Sequence, residues 1–126
     1  MIYIYGGGGR AKLIRELLIR LKIKPKNIIF IDDYEKKYNS TSYLLKNFNN
    51  KKDKLYIGIS DPKLQKKRYA FFKSKLKKID NDPLIDPSAI LKSNISMGNN
   101  VIILENASIG PKVQLDRNVF VGANSI

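Results

Sequence analysis

Residues 85–126 read in sixes as IDPSAI, LKSNIS, MGNNVI, ILENAS, IGPKVQ, LDRNVF and VGANSI. The first residue of every hexad is aliphatic or methionine, and the fifth is always small or β-branched. A period of six fits neither an α-helix nor the alternation of an ordinary strand. It is the signature of a parallel β-helix, so we expect the first-position side chains to point inward and to stack. These residues are Ile85, Leu91, Met97, Ile103, Ile109, Leu115 and Val121.

Asparagine fills the fourth position in most of the hexads, at residues 94, 100, 106, 118 and 124. Asparagine tolerates left-handed backbone conformations, which a chain that bends after every short strand requires. We therefore predict a turn at each fourth position. The acidic residues of the hexads, Asp86, Glu105 and Asp116, occupy positions typical of a solvated outer face.

The first 82 residues follow a different pattern. Strand formers at 2–5, 28–31 and 54–60 alternate with helical periodicity at 10–22 and 62–76. Residues 39–53 show only weak signals and are interpreted as a connection. The order β-α-β-loop-β-α indicates a small Rossmann-like parallel sheet. The predicted fold class is thus α/β plus all-β, with an α/β domain at 1–82 and the hexads at 83–126.

The first strand runs into four glycines and then a helix. Gly6, Gly8 and Ala11 match the G-x-G-x-x-G/A spacing, in which the glycines allow a tight turn and a close approach to phosphate. The free N–H groups at the helix N-terminus also favour an anion. The predicted nucleotide-binding site comprises Gly6, Gly7, Gly8, Gly9, Arg10, Asp32, Asp33, Gly58, Ile59 and Ser60.

Simpler explanations of these residues remain open. Glycines are needed merely to turn between strand and helix, and Asp32 and Asp33 could form a solvated turn. Ser60 and Asp61 could serve only as a helix N-cap. NAD is a rival ligand, but a sheet of three or four strands suits one nucleotide rather than a dinucleotide.

The amino-acid composition excludes several kinds of catalytic and metal-binding site. The 126 residues include neither cysteine nor histidine, which removes disulfides, thiolate metal sites and an imidazole base, and we predict no metal. No apolar run reaches about 18 residues, and no signal peptide is apparent, so we expect a cytoplasmic protein without membrane insertion. The net charge of +13 would suit polyanions. The lysines are scattered, however, and nucleic-acid binding is a distant alternative.

The chain resembles the bacterial sugar acyltransferases of the sialic-acid O-acetyltransferase and UDP-4-amino-sugar N-acetyltransferase type (NeuD/PglD-like). The matching stretches are IYIYGGGGRAKLI at 2–14, IIFIDD at 28–33, YIGISDPKLQKK at 56–67, LIDPSAIL at 84–91 and the hexads. The resemblance implies a left-handed β-helix, homotrimers, and acetyl-coenzyme A bound along the β-helix. It implies an acyltransferase that modifies an amino or hydroxyl group of a nucleotide-activated sugar, with a UDP-sugar favoured, in bacterial surface glycan biosynthesis.

The sequence departs from this family at the positions of its histidines. Arg10 stands where family members usually carry histidine, and Asp86 stands where they often do. The family's catalytic histidine–acid pair would follow beyond Ile126, so we assign no catalytic residue here. We therefore expect a chain truncated before its base and inactive alone. The alternative is a non-catalytic nucleotide-sugar-binding or assembly module.

Overall fold

The first part of the chain folds around a three-stranded parallel sheet. The structure is a computed structural model that describes residues 1–76, 79 and 82–126. Its strands are β1 (Ile2–Tyr5), β2 (Ile28–Ile31) and β3 (Lys54–Ile57), in the order β2-β1-β3. Its helices are α1 (Gly9–Arg20), α2 (Thr41–Asn47) and α3 (Pro62–Lys75), with a 3₁₀ turn at Pro25–Asn27. The small parallel sheet predicted from the sequence is confirmed.

Side chains from the two faces of the sheet enter two different hydrophobic clusters, because successive strand residues point to opposite sides. Tyr3 and Tyr5 join a cluster with Phe72 of α3 and Leu44 of α2. Ile4 joins the other cluster, which contains the apolar stripe of α1. The sheet is therefore covered on both faces, as parallel sheets require.

Helix α2 was missed in the sequence interpretation, which treated residues 39–53 as a connection. Ser40 caps the helix, because its Oγ accepts a hydrogen bond from the backbone N–H of Tyr43. Two hydrogen bonds from Thr41 to the carboxylate of Asp33 also tie the helix to the end of β2. This short helix is thus stabilised by a contact outside its own segment, which local periodicity does not reveal.

The hexads form seven strands of two residues each, spaced six residues apart. They are β4 (Leu84–Ile85), β5 (Ile90–Leu91), β6 (Ser96–Met97), β7 (Ile102–Ile103), β8 (Ser108–Ile109), β9 (Gln114–Leu115) and β10 (Phe120–Val121). Each pairs in parallel with the strand three places along, so that Ile85 faces Ile103 and Ile103 faces Val121. Eighteen residues therefore make one three-sided coil.

The first-position side chains meet inside these coils, with one exception. Ile103 and Ile109 are buried, and Ile85, Met97, Leu115 and Val121 pack against them. Leu91 departs from the prediction, because it is 38% exposed. It lies on β5, whose ladder contains β8 alone, so no further described strand covers it on the other side.

The fourth position of each hexad after the first adopts a left-handed backbone conformation. Five of these residues are the asparagines at 94, 100, 106, 118 and 124, and the sixth is Lys112, all with φ between 57° and 67°. The predicted turns at the asparagines are confirmed. A chain of this shape bends once every six residues, and asparagine relieves the strain of the bend.

The two parts of the chain pack directly against each other. Leu84, Ile102 and Leu104 belong to the same hydrophobic cluster as the buried face of α1. The backbone N–H of Ile57, at the edge of the sheet, donates to Oδ1 of Asn100, whose own side chain is 2% exposed. The domain boundary between residues 82 and 83 stays a prediction.

The prediction of a solvated Asp86 was wrong. This residue is only 4% exposed, and its carboxylate accepts hydrogen bonds from Arg20 at the end of α1 and from Ser88. Arg20 also pairs with Glu105, at 2.9 Å. The outer face of the first hexad is covered by α1, and a contact between residues so far apart leaves no trace in a six-residue pattern.

Candidate functional site

The glycine loop follows β1 and crosses the carboxyl-terminal edge of the sheet. Gly6 has φ +113°, and a Cβ there would lie 2.9 Å from the carbonyl oxygen of Gly58. The Gly6 N–H donates to the carbonyl of Ile31, at 2.7 Å. This position therefore requires glycine both for its backbone conformation and for its space.

The helix that follows the loop lies unusually close to the end of β3. A Cβ at Gly58 would lie 2.8 Å from Cα of Ala11, which is fully buried. Neither residue could be larger without moving α1 away from the sheet. The last position of the G-x-G-x-x-G/A spacing, filled here by Ala11, therefore needs a small residue for close packing of the helix on the strand.

Gly8 and Gly9, in contrast, face open space. A Cβ at either residue would meet no atom of a described residue within 4 Å. Gly8 is the N-cap of α1, and within the part of the chain that the structure describes no side chain caps the first turn of the helix. Backbone N–H groups at such a helix start remain available to an anion.

A cavity of about 280 Å³ lies over this loop, at the ends of all three strands. It is lined by every residue of the predicted site except Asp33. The sequence interpretation missed Tyr5, Tyr34, Leu64 and Arg68, which also line it. Tyr34 directly follows the predicted aspartates, whereas Leu64 and Arg68 are one helical turn apart on α3, a spacing that could have placed them on one face.

The two aspartates at the end of β2 have different surroundings. Oδ1 of Asp32 accepts the backbone N–H groups of Tyr34 and Glu35, while Oδ2 lies 3.0 Å from where a Cβ of Gly7 would be, at the cavity. The carboxylate of Asp33 instead accepts hydrogen bonds from Thr41 and from the Tyr5 hydroxyl. Burial raises the pKa of Asp33, but the hydrogen bonds from Thr41 and the charge of Arg68 outweigh burial and lower it.

The two arginines at the cavity are held differently. The guanidinium of Arg10 lies 4.0 Å from the ring centroid of Phe120 in β10, and burial lowers the pKa of Arg10. Arg68 lies 5.7 Å from the ring centroid of Tyr5, and its Nε is buried without a hydrogen-bond partner among the described residues. The lining thus carries two cations against the one carboxylate of Asp32.

The end of β3 contributes one lining residue and one helix cap. Ser60 lines the cavity. Asp61 caps α3, because its Oδ1 accepts the backbone N–H groups of Lys63 and Leu64. The capping interpretation therefore holds for Asp61, while Ser60 lies within reach of a ligand in the cavity.

A larger cavity of about 790 Å³ lies between α3 and the hexads, and we call it the α3–hexad groove. Its walls include Gln65 and Lys66 on one side and Met97, Asp116 and Arg117 on the other. It holds none of the predicted site residues. Volume alone does not identify a site, and the smaller cavity has the chemistry that suits a phosphorylated ligand.

Within the described residues, no group of three or more acidic, cysteine or histidine side chains is arranged to hold a metal ion. No helix in the same part of the chain is long and apolar enough to cross a membrane.

Comparison with known proteins places the chain in a family. The model of the PglD N-terminal domain matches residues 1–72. The chain belongs to the PglD N-terminal domain family. The resemblance stated from the sequence is therefore confirmed. Among curated proteins, none matches the chain.

Solved structures similar to this member of the PglD N-terminal domain family extend the likeness over both parts of the chain. PerB from Caulobacter crescentus, in complex with CoA and GDP-perosamine, has a TM-score of 0.80 and 18% identity over 98% of this chain. The acetyltransferase domain of PglB from Neisseria gonorrhoeae, in complex with acetyl coenzyme A, has a TM-score of 0.83 at the same identity and coverage. The chain spans 60% and 62% of those two chains. At this identity the likeness shows a shared fold.

Proposed function

We propose that the glycine-loop cavity binds a nucleotide-activated sugar, and that the chain acts within an acetyl-coenzyme-A-dependent sugar acetyltransferase. One observation carries this proposal. The loop, the uncapped start of α1 and the carboxylate of Asp32 line one cavity at the carboxyl ends of three parallel strands. Open α/β sheets bind nucleotides at this edge.

Each part of the cavity suits one part of such a ligand. The open backbone at Gly8 and Gly9 can approach a phosphate, which the N-terminus of α1 would stabilise. Oδ2 of Asp32 can accept a hydrogen bond from a ribose hydroxyl or a base N–H. Asp33 would act indirectly, by holding α2 and the end of β2 in place. A UDP-sugar remains our proposed ligand, although the related PerB structure contains GDP-perosamine.

The hexads are proposed to form a left-handed β-helix that assembles as a homotrimer and carries acetyl-coenzyme A. Their three-sided coils and inward stack support this assignment, and PerB and PglB were solved with CoA and acetyl coenzyme A. We propose that the organisation is a nucleotide-sugar unit at 1–82 followed by the hexads at 83–126. We also propose that the protein acts in the cytoplasm, in surface glycan biosynthesis.

Acetyl transfer to an amine or a hydroxyl requires a base that takes the proton of the acceptor as the thioester is attacked. The sequence contains no histidine, and Asp86 is engaged by Arg20 and Ser88. We therefore propose that this chain alone transfers no acetyl group. The lack of histidine favours the alternative, a non-catalytic nucleotide-sugar-binding or assembly module.

Calorimetric titration with UDP-, GDP- and CMP-sugars tests the binding proposal. We expect one of these ligands, most strongly the UDP-sugar, to bind with a dissociation constant well below millimolar. No binding tighter than millimolar by any of them would contradict it. Release of coenzyme A from acetyl-coenzyme A that depends on the bound sugar would contradict the proposed inactivity and exclude the non-catalytic alternative.

A further inference from the structure

Arg68 is a cation that lines the cavity, and its charge lowers the pKa of Asp33. It lies on α3, one turn beyond Leu64, and both side chains line the cavity with the glycine loop. Its guanidinium carbon is 5.7 Å from the ring centroid of Tyr5. The salt bridges among the described residues do not include it.

The environment of Arg68 indicates a missing acceptor. Its Nε atom is buried, yet it has no hydrogen-bond partner among the described residues. Buried N–H groups in folded proteins are almost always paired, so an unpaired Nε in a side chain that lines a cavity favours a ligand oxygen there. A guanidinium keeps its charge at all ordinary pH values and offers several parallel donors, a geometry that matches phosphate.

Arg10, the arginine of the predicted site, differs in this respect. Its guanidinium is stacked on Phe120, at 4.0 Å. This contact joins the start of α1 to the hexads and holds the side chain in place. The guanidinium of Arg68 lies farther from its aromatic neighbour, at 5.7 Å from the ring centroid of Tyr5, and is therefore held less closely than that of Arg10.

We propose that Arg68 pairs with the diphosphate of the nucleotide sugar bound in the glycine-loop cavity. This assignment rests on the proposed nucleotide-sugar function. In it, the loop backbone contacts one side of the diphosphate and Arg68 closes the other side from α3. The residue thereby makes the site selective for nucleotides with a phosphate chain over nucleosides.

The test compares uridine with UDP in the wild-type protein and in three variants. Arg68→Gln should weaken UDP binding about 10- to 100-fold, the range for a lost charge-assisted hydrogen bond, and uridine binding by less than about threefold. The UDP affinity of Arg68→Lys should lie between those of wild type and Arg68→Gln, because lysine keeps the positive charge but lacks the paired N–H donors of the guanidinium. Lys67→Gln, next to it on α3, removes the same charge outside the cavity and should leave both affinities unchanged.

Thermal unfolding of each variant separates a binding defect from a folding defect. If Arg68→Gln does not fold, Arg68→Lys alone decides, with a loss for UDP but not for uridine expected. Wild-type affinity for UDP in the folded Arg68 variants, or an equal loss for uridine and UDP, would overturn the role of Arg68 and leave the nucleotide site standing. Absence of UDP binding in the wild-type protein would overturn both.

Discussion

Gly8 offers the cleanest probe of the site at the scale of single residues. Its backbone has φ −89° and ψ −162°, which other residues can adopt, and an added Cβ would meet no atom within 4 Å among residues 1–76, 79 and 82–126. A side chain there would occupy only the space over the loop. Gly7 is unsuitable by comparison, because a Cβ would lie 2.6 Å from the ring of Tyr38.

We predict that Gly8→Val abolishes nucleotide binding and leaves the fold intact. The isopropyl group would block the approach of a phosphate to the loop backbone, while the loss of a preferred N-cap residue would cost about 1 kcal/mol of stability. Calorimetric titration and thermal unfolding measure the two effects. Gly110→Val is the matched control, since its Cβ would lie 3.9 Å from the nearest atom, in Val113. Nucleotide affinity equal to wild type in Gly8→Val would contradict the prediction.

The site residues that could be predicted are those whose role depends on local sequence. Gly6 and Gly8 were identified by their spacing from a strand and a helix. The surroundings of Asp33 depend on Thr41 in α2, a helix with weak local signals. Arg68 reaches the cavity because α3 packs across the sheet, and no motif marks such a residue. The features that the sequence interpretation missed thus depend on contacts between residues that local sequence patterns do not connect.

At the scale of elements, the turns of the hexads depend on residues that tolerate a left-handed conformation. Lys112 has φ 60° in the position that asparagine fills in the hexads on either side. Its backbone N–H donates to Ser93, and its side chain is exposed. The strain at this turn is therefore a property of the backbone rather than of side-chain contacts.

Lys112→Asn should stabilise the protein, by up to about 1 kcal/mol, because asparagine visits the left-handed region at lower cost. The reverse change at an exposed turn, Asn94→Lys (φ 60° at present), should destabilise it by a similar amount. Chemical denaturation measures both free energies of unfolding. No gain in Lys112→Asn together with no loss in Asn94→Lys would show that these turns do not depend on the asparagines.

The junction between α1 and the first hexad is held by a buried carboxylate. Burial raises the pKa of Asp86, but hydrogen bonds from Ser88 and Arg20 outweigh burial, and the pKa lies below its ordinary value. A depressed pKa contributes stability that is present above the unfolded pKa of about 3.9 and is lost as the pH falls through the folded value.

Asp86→Asn should lower the free energy of unfolding by about 2 kcal/mol at neutral pH, because it removes charge-assisted hydrogen bonds. The difference from wild type should begin to shrink below about pH 4, where the unfolded chain takes up the proton, and should shrink further as the pH falls through the lowered folded pKa of Asp86. Glu105→Gln is the control: this partner of Arg20 is 41% exposed, and its loss should cost no more than about 1 kcal/mol. A difference that does not change with pH would contradict the assignment.

At the scale of the whole molecule, three contacts hold the glycine loop in a defined position relative to the hexads. Arg10 stacks on Phe120, Asn100 accepts the N–H of Ile57, and the two parts share one hydrophobic cluster. A ligand in the cavity would therefore lie in a fixed orientation to the coils. The parts of the chain that carry the two sequence patterns are thus packed together.

The two parts were predictable because each carries a local period, of six in the hexads and of strand and helix before them. Their contact was not predictable. The pair Arg20–Asp86 is 66 residues apart in the chain, and Ile57–Asn100 is 43 apart. The burial of Asp86 follows from that packing, whereas its sequence position indicated only an outward direction.

The central claim, that the glycine-loop cavity is a nucleotide site, is tested most directly by mapping backbone amide shifts. The ¹⁵N-labelled protein would be titrated with UDP and with GDP. We predict that the largest shifts occur at residues 6–10, at Asp32 and at residues 58–60. Largest shifts around the α3–hexad groove, or no shifts at millimolar nucleotide, would contradict the account.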